Sequence, residues 1–332
     1  MSVEVELFDD LEAVERDAAG ALDRGAQPAI FNRLSWFRLL AEHIALPGKP
    51  IAARARHMQR RAWLFLTVED RRASAWANWY SLRWAPIGEP ELIRHILAAF
   101  RDGLVPRLDL APLEETAALV EACRDSGWIP FITPAAVNWR ADTAGLDFDA
   151  YWARRPAKLR NTAERKAKAA GLEIEIVDEF EPAAWAEYES VYEASWKPEE
   201  GSPAFLRALA EQESAAGTLR LGIARKDGKA VAAQLWLVEN KEATIHKLAY
   251  REDAKALSPG TVLSMAMFRH VLDRDRVAVI DYGTGDEAYK TDWMDSKRTL
   301  WRIEAFNRRT LRGLAGAMRA AASALVGRAR SR

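Results

Sequence analysis

The sequence predicts an α/β protein in which mixed, mostly antiparallel sheets are flanked by helices and one order of elements occurs twice. Apolar alternation indicates strands, and apolar residues at helical spacing indicate amphipathic helices, along both halves of the 332 residues. Each half contains two helices followed by three strands, a helix, a strand, a helix and a strand. The repeat is one of pattern rather than of residues.

The first half is expected to form one complete copy of this pattern. Several of the 13 tryptophans of the chain lie in it, and we interpret them as core and sheet-face residues because buried aromatics supply large contact areas. We predict helices at 9–24, 33–45, 90–101 and 113–126, and strands at 51–57, 62–69, 73–81, 105–110 and 128–138.

The second half adds a basic helix and a strand before the same pattern. Its helix at 259–273 has apolar residues at helical spacing and is expected to pack on the sheet. We predict helices at 150–170, 182–195, 203–216, 259–273 and 286–294, and strands at 172–178, 218–225, 230–239, 242–250, 277–282 and 299–306.

The start of the helix at 259–273 has the composition of an anion site. Ser258 is a good N-cap, Pro259 suits the first helical position, and Gly260 lets another group approach the backbone closely. We expect free N–H groups at Gly260 and Thr261, at the positive end of the helix dipole, to favour a phosphate or carboxylate.

The first half lacks this anion site. Its corresponding turn carries Glu89 and Glu91, whose carboxylates would repel phosphate. We therefore interpret residues 1–145 as a degenerate copy that supports structure, and residues 150–307 as the half that holds the donor and the chemistry. The boundary is predicted in the segment 141–149.

Residues 151–307 resemble a known family. LAYREDAKALSPG followed by IDYGTGDEAYKTDW is similar to the second half of the GNAT-fold acyltransferases of the CelD/BcsL (BioF2-like) group, relatives of the Fem-type peptidoglycan aminoacyltransferases. The resemblance implies tandem GNAT-like lobes and an acyl-CoA donor. The pyrophosphate would lie at Ser258–Thr261 with Lys255 as the nearby cation, and the pantetheine between strands 243–250 and 277–282.

This turn departs from the loop of ordinary GNAT enzymes because it has a single glycine and loses the second position of close approach. An aminoacyl-tRNA donor, as in the Fem-type relatives, is therefore the alternative. The chain shows no long helical arm insertion of the kind those ligases often carry.

Three residues of the second half are candidates for the chemistry. Asp281 ends an otherwise apolar strand, where a carboxylate can become a proton acceptor, although it can equally cap the turn at 283–285. The resemblance implies that Tyr289 and Lys290 lie beside the reaction centre, with Lys290 stabilising developing negative charge. An ordinary solvated lysine is the alternative.

Five residues are candidates for binding substrate. Family relatives carry a similar Ser-Trp-Lys where this chain has Trp196 and Lys197, and the loop after them is expected to close over the acceptor. Gln234 is a polar residue in an apolar strand, so it bonds either substrate or its neighbours. Lys247 reaches the sheet edge or meets an anion. Tyr250 belongs to the family motif.

Strand alternation adds an expectation about the surroundings of Lys247. It places Lys247 on the same face as Ile245 and Ala249 and points His246 the opposite way. We interpret His246 as a structural histidine, although histidine can serve as an acid or base.

Two basic segments complete the pattern. The helix at 151–170 could hold donor phosphates, an anionic sugar acceptor or a tRNA backbone, or could be a solvated basic face. The tail at 308–332 has no acidic residue and has an apolar side, so it could lie on an anionic membrane surface or pack on the protein. The basic residues are Arg154, Arg155, Lys158, Arg160, Arg165, Lys166 and Lys168 in the helix, and Arg308, Arg309, Arg312, Arg319, Arg328, Arg330 and Arg332 in the tail.

Composition excludes several other classes. The 48 basic and 48 acidic residues balance, so no global field attracts DNA. Cys123 is the single cysteine and the five histidines show no ligand spacing, so we expect neither a disulfide framework nor a metal site. The acidic N-terminus does not resemble a signal peptide, and no segment approaches the length of a membrane span. A cytoplasmic location, at most at the inner face of the membrane, is expected.

The sequence thus predicts an acyltransferase that moves an acyl group from acyl-CoA to an amine or hydroxyl, on a saccharide or a cell-envelope precursor. The acceptor would attack the thioester directly. A Fem-like aminoacyl-tRNA-dependent transferase and a catalytically silent GNAT-like binding module remain as alternatives.

Overall fold

The computed structural model describes residues 2–330, with side chains as far as residue 325. The chain forms two compact units, which we call unit 1 (Met1–Ala136 with Thr299–Arg332) and unit 2 (Val137–Arg298). The domain boundary expected at 141–149 stays a prediction. Among the described residues, none of the helices combines the length and the apolar composition needed to cross a membrane.

Unit 1 is a sheet covered by helices. Two strands, β7 (Trp128–Asp142) and β13 (Ser296–Asn307), contribute residues to both units. The other strands of unit 1 are β1 (Glu4–Phe8), β2 (Lys49–His57), β3 (Arg60–Glu69), β4 (Arg72–Ala75), β5 (Ile87–Gly88) and β6 (Arg107–Leu113). Its helices are α1 (Leu11–Ala18), α2 (Leu34–His43), α3 (Pro90–Asp102), α4 (Ala117–Asp125) and α11 (Leu311–Arg330), with a short 3-10 helix at Ile30–Asn32.

The strands of unit 1 pair mostly in antiparallel fashion. β1, β2, β3 and β4 form a meander, β4 then pairs with β6 in parallel, and β6 pairs with β13. The crossover between β4 and β6 contains α3, whose apolar stripe of Leu92, Ile93, Ile96 and Leu97 is buried against the sheet. This stripe, with the inward residues of the strands, forms one continuous core.

Unit 2 repeats this architecture. β8, β9, β10 and β11 pair in antiparallel fashion, β11 pairs with β12 in parallel, and β12 pairs with β7. The remaining strands of unit 2 are β8 (Glu173–Val177), β9 (Leu219–Lys226), β10 (Lys229–Glu239), β11 (Glu242–Tyr250) and β12 (Val279–Thr284). Its helices are α5 (Phe148–Ala153), α6 (Ala157–Ala169), α7 (Pro182–Glu193), α8 (Pro203–Ala215), α9 (Pro259–Asp273) and α10 (Lys290–Trp293), with a 3-10 helix at Glu252–Leu257.

The core of unit 2 lies around α9. Leu263, Met267 and Phe268 of this helix are fully buried, and the rings of Phe268 and Trp236 form a T-shaped pair with their centroids 5.2 Å apart. Gly222 of β9 leaves room for Met267, because an added Cβ would lie 2.4 Å from its sulfur. The helix that is expected to carry an anion site is therefore rigidly held on the sheet.

The predicted alternation of elements is present, with local differences. The strands β1 and β5 were not predicted, and the helix expected at 9–24 ends at Ala18. The strand expected at 73–81 ends at Ala75, because the following residues form turns in which Asn78 accepts a hydrogen bond from the N–H of Tyr80. The helix expected at 150–170 is interrupted at Pro156, which has no N–H. The helix expected at 286–294 has a single turn, α10.

Candidate active site

The parallel strands β11 and β12 of unit 2 pair only at one end. The ladder contains three residue pairs and ends with Thr244 and Asp281, while β11 continues to Tyr250 and β12 to Thr284. Beyond that point the facing edges of the two strands form no further ladder with each other within residues 2–330. Their backbone groups are thus left to other partners, such as an extended ligand.

A bulge in β11 lies beside this opening. Residues 245–247 of β11 stand opposite only Leu235 and Trp236 of β10, so His246 is an inserted residue. The predicted alternation is therefore wrong across His246: Ile245 and Lys247 stand opposite adjacent residues of β10 and so lie on opposite faces, whereas Lys247 and Ala249 share a face as predicted. His246 is buried, and burial followed by the charge of Lys247 lowers its pKa to about 3, which keeps the imidazole neutral at physiological pH.

The first turn of α9 differs in detail from the predicted anion site. Ser258 adopts a left-handed conformation (φ 55°) and makes no side-chain capping bond, so the prediction of a side-chain N-cap is wrong. Its carbonyl accepts hydrogen bonds from the N–H groups of Thr261 and Val262, so the N–H of Thr261 is not free. Pro259 has no N–H. In the described part of the chain, the N–H of Gly260 has no backbone acceptor at this turn.

Gly260 itself packs closely against β11. An added Cβ would lie 3.1 Å from Cδ1 of Tyr250, so a larger residue would displace the Tyr250 ring. Lys255, the predicted nearby cation, is exposed and forms an ion pair of 2.8 Å with Glu252. Lys166 of the basic helix α6 donates a hydrogen bond to the carbonyl of Ala256, which places that helix beside this turn.

Gln234 is part of the framework of the site. Its amide nitrogen donates to Ser264 Oγ (2.8 Å) and to the carbonyl of Gly260 (3.3 Å), and its amide oxygen accepts from the indole of Trp236 (2.9 Å). The side chain is buried, and these bonds fasten the first turn of α9 to β10. Of the two roles left open by the sequence, the structure supports bonding to neighbours rather than to substrate.

Asp281 is likewise committed to the fold. Oδ1 accepts hydrogen bonds from the amide of Asn138 (2.6 Å) and the N–H of Gly283 (2.8 Å), and Oδ2 accepts from Arg298 (3.2 Å). The guanidinium of Arg140 lies 3.9 Å from the same carboxylate. Both oxygens of this carboxylate are occupied by donors of the fold, so the geometry supports the turn-capping alternative over the predicted role as base.

Lys290 is a buried charge rather than a solvated lysine. Its ammonium donates to the carbonyl of Thr284 (2.7 Å) and lies 2.9 Å from Glu287, and it faces the ring of Tyr282 at 5.4 Å. The side chain is 4% exposed. Because Thr284 lies on the part of β12 beyond the ladder, Lys290 is fixed at the opening of the strands.

Tyr289 is more accessible than Lys290. It is 41% exposed and packs edge-to-face on Tyr282 with the centroids 5.8 Å apart. Partial burial, followed by the charge of Glu287 and the neighbouring Tyr250, raises the pKa of its hydroxyl to about 12. At neutral pH this hydroxyl is therefore a proton donor that solvent and a ligand can reach.

Trp196 and Tyr250 form an aromatic pair, in which Trp196 is exposed and Tyr250 is half-buried. The rings are 4.2 Å apart, and Trp196 is 47% exposed. Ser195, the residue before Trp196, forms an isolated bridge with Arg251, which fixes this loop on the end of β11. The structure thus brings together two residues that were selected separately from the sequence.

Three lysines form one electrostatic cluster with two glutamates. Burial and then the charge of Lys247 lower the pKa of Lys197 to about 8; Lys290 acts in the same direction, while Glu287 and Glu200 oppose the shift. Nζ of Lys247 forms an ion pair of 2.9 Å with Glu200. We call these five residues the lysine cluster. Lys197 is the member whose amine can become neutral near physiological pH.

Sequence reasoning missed Glu200, Glu287, Tyr192 and Tyr282. Tyr192 lies 5.6 Å beneath the ammonium of Lys247, and burial, followed by Glu200, raises the pKa of its hydroxyl. The spacing of Glu287 and Lys290 by three residues is a signal that could have been used. Glu200 ends a Pro/Glu segment that forms neither helix nor strand, so no local pattern in the sequence indicates its partner. Among the described residues, no group of three or more metal-ligating side chains occurs.

Comparisons with known proteins identify the fold. Residues 153–291 match the model of the acetyltransferase (GNAT) domain family. The chain is similar to the structure of FemX, with a TM-score of 0.56 and 8% identity over 82% of this chain and 96% of that one. No curated protein sequence matches it.

Two further structures extend this likeness. A tandem GNAT protein from the clavulanic acid biosynthesis pathway has a TM-score of 0.52 and 14% identity, over 91% of this chain and 98% of that one. The C-terminal domain of a putative lysylphosphatidylglycerol synthetase from Agrobacterium fabrum has a TM-score of 0.53 and 19% identity, over 76% and 83%. The chain therefore has an α/β fold of tandem GNAT-like lobes, as predicted.

Proposed function

We propose that the protein is an acyltransferase that moves an acyl group from acyl-CoA to an amine or hydroxyl. The observation that carries the proposal is the parting of β11 and β12 beyond Thr244 and Asp281, with the lysine cluster and Tyr289 at the opening. The match of residues 153–291 to a GNAT acetyltransferase domain supports it.

The donor would bind across the opening and the first turn of α9. The pantetheine arm of coenzyme A is an extended chain with two amides, which can bond to unpaired strand edges as an added strand does. The pyrophosphate would meet the N–H of Gly260 at the positive end of the helix dipole. Lys166 and the exposed Lys168 of α6 supply positive charge beside this turn.

The chemistry would be a direct transfer. The nitrogen or oxygen of the acceptor attacks the thioester carbon, the carbon–sulfur bond breaks, and coenzyme A leaves. The neutral amine of Lys197 accepts the proton of the acceptor and releases it to solvent, and the hydroxyl of Tyr289 donates a proton to the departing sulfur and recovers one from solvent. The buried ammonium of Lys290 stabilises the negative charge that develops on the thioester oxygen.

The acceptor would lie on the aromatic pair of Trp196 and Tyr250. Exposed aromatic rings suit the apolar face of a sugar ring, and the neighbouring lysines suit an anionic group on it. Together with the resemblance to the CelD/BcsL group, this pair favours a saccharide or a cell-envelope precursor as the acceptor.

Thermal unfolding with acetyl-CoA, longer acyl-CoAs and free coenzyme A tests the proposal. At about 100 times its dissociation constant a donor stabilises the fold by about 2.7 kcal/mol. We expect this shift in the wild type and its loss in Gly260→Trp, whose side chain would fill the turn against Tyr250. Gly25→Trp is the matched control, because an added Cβ at Gly25 meets nothing within 4 Å. Equal shifts in both variants would contradict the proposed site.

An aminoacyl-tRNA donor is the second candidate. It is favoured by the exposed basic face of α6, which presents Lys158, Arg165 and Lys168, and by the fold shared with FemX. Under this alternative no coenzyme A derivative shifts the unfolding temperature, whereas aminoacyl-tRNA binds with a strong salt dependence. A protein that binds neither donor would be a silent GNAT-like binding module.

A further inference from the structure

We propose that the exposed face of α11 binds the surface of an anionic lipid bilayer. This helix belongs to unit 1, whereas the proposed donor site belongs to unit 2. The packing of α11 is the reverse of that of an ordinary surface helix, which buries its large apolar residues.

The side of α11 that faces the body of unit 1 consists of small residues. Gly313, Gly316 and Ala317 are buried there. An added Cβ would lie 2.1 Å from the carbonyl of Asn307 at Gly313, and 2.5 Å from the ring of Phe306 at Gly316. The helix therefore approaches unit 1 closely through residues that leave no space for larger side chains.

The large apolar residues lie on the solvent side instead. Leu311 is 87% exposed, Leu314 40%, and Met318 and Leu325 are each 67% exposed. Their positions in the sequence follow a spacing of three, four and seven residues, which places them in one stripe along the helix. We call these four residues the α11 stripe. Large apolar side chains lined up in water indicate a surface that another body covers.

Charge identifies that body. No acidic residue follows Glu304 in the sequence, and seven arginines do. Arg312 and Arg319 each come directly after a stripe residue and so flank the stripe, and within the described residues neither forms an ion pair. Arg328 and Arg330, whose side chains are not described, and Arg332, which lies outside the described residues, were part of the same predicted basic tail.

A second copy of the chain is a poor occupant for this face. Two α11 stripes in contact would bring arginines together with no acidic side chain on either helix to meet them. An anionic bilayer offers what the face lacks: acyl chains for the stripe and phosphates for the flanking arginines, whose long stems keep the charge in water. The 20-residue helix would lie in the interface, since it does not have the composition of a spanning helix.

Vesicle sedimentation of the full-length protein tests this assignment. We expect binding to phosphatidylglycerol-containing vesicles, little binding to pure phosphatidylcholine vesicles, and weaker binding at high salt. The triple variant Leu311→Gln/Met318→Gln/Leu325→Gln should bind at least about tenfold more weakly, because each change removes apolar surface that would enter the bilayer. Arg312→Gln/Arg319→Gln should weaken binding to the anionic vesicles alone.

Met58→Gln is the matched control. Met58 is 65% exposed, close to the value for Met318, and lies outside α11. Its variant should bind vesicles as the wild type does. Equal binding by the triple variant, or no vesicle binding by the wild type, would overturn the proposal. A dimer in analytical ultracentrifugation that the triple variant abolishes would also overturn it, by assigning the stripe to a second copy.

Discussion

The parallel strand pairs of the two units, β4 with β6 and β11 with β12, carry the same buried carboxylate. Each ladder contains three residue pairs, and the third pairs Ser74 with Asp109 in unit 1 and Thr244 with Asp281 in unit 2. Both aspartate side chains are 5% exposed. Because the carboxylate recurs at the same position in both units, we infer that its first role is to stabilise the fold.

Arginines hold both carboxylates. Asp109 forms ion pairs with Arg72, Arg107 and Arg302 of unit 1. Asp281 accepts a hydrogen bond from Arg298 and lies near Arg140 in unit 2. The comparison explains why the attractive sequence position of Asp281 led to a catalytic assignment that the geometry does not support.

The units differ where the crossover helix begins. Before α3 in unit 1, Arg60 donates hydrogen bonds of 2.7 Å to both Glu89 and Glu91, so the turn is occupied by its own acids. In unit 2, Gly260 lies in the first turn of α9, and Lys166 of α6 donates a hydrogen bond to the carbonyl of Ala256 just before that turn. The shared carboxylate is therefore structural. The proposed function depends instead on the lysines that unit 2 places at this turn and at the strand opening, since the arginine at the turn of unit 1 is already paired with two glutamates.

Removal of either carboxylate should have the largest effect on stability, and the loss should be similar in the two units. Asp109→Asn and Asp281→Asn each remove a buried carboxylate that several partly exposed arginines share, so we expect each to lower the free energy of unfolding by about 3 kcal/mol through the loss of charge-assisted hydrogen bonds. Urea denaturation checks this. Asp286→Asn, at an exposed ion pair with Lys297, should change stability by less than about 1 kcal/mol. An Asp281→Asn protein of full stability that had lost turnover would restore the catalytic assignment.

Loss of Lys290 should lower turnover, since Lys290 lies at the strand opening that only the proposed donor site of unit 2 uses. We expect Lys290→Ala to lower turnover about 100-fold, because a fixed cation at the developing oxyanion is lost, while the affinity for the donor changes little. Release of free coenzyme A thiol measures turnover. Lys297→Ala removes an exposed lysine seven residues away that pairs with Asp286, and it should leave turnover within about twofold. Equal losses in both variants would contradict the role of Lys290.

Lys197 should make turnover rise with pH, because only its neutral amine can accept a proton. Because its folded pKa is lowered to about 8 from an ordinary 10.5, turnover should rise with pH through about 8, and Lys197→Gln should lose this rise. The charged form is disfavoured in the fold, so the wild type carries a stability penalty below pH 8 that disappears as pH rises from about 8 to about 10.5. Lys197→Met should abolish that rise in stability. A wild-type profile that is flat across this range would contradict the shifted pKa.

Much of this arrangement could be predicted because it is local. Helix α9 begins at Pro259 and ends at Asp273 as expected, since proline, glycine and the apolar spacing all act within one element. The bulge at His246 could not be predicted, because only the pairing of β11 with β10 reveals it. Ser258 occupies the N-cap position of α9 as predicted, but its side chain forms no capping bond. The left-handed conformation of this residue at the end of the 3-10 helix could not be predicted, because the residue types do not indicate it.

The site residues show the same difference between what local sequence predicts and what only the fold reveals. Lys197, Lys247 and Lys290 were selected from the sequence, but their coupling into one cluster through Glu200 and Glu287 depends on loops that meet only in the fold. Gln234 and Asp281 show the opposite case. Each is a polar residue in an apolar strand, and such a residue is as often a fastening of the fold as a contact to substrate.

Isothermal titration calorimetry with acetyl-CoA tests the central claim most directly, because it counts the donor sites in the two units. We predict one site per chain in the wild type and in Gly25→Trp, and none in Gly260→Trp. Two sites per chain, or a single site that survives Gly260→Trp, would contradict the claim that the first turn of α9 forms the donor site and that unit 1 has none.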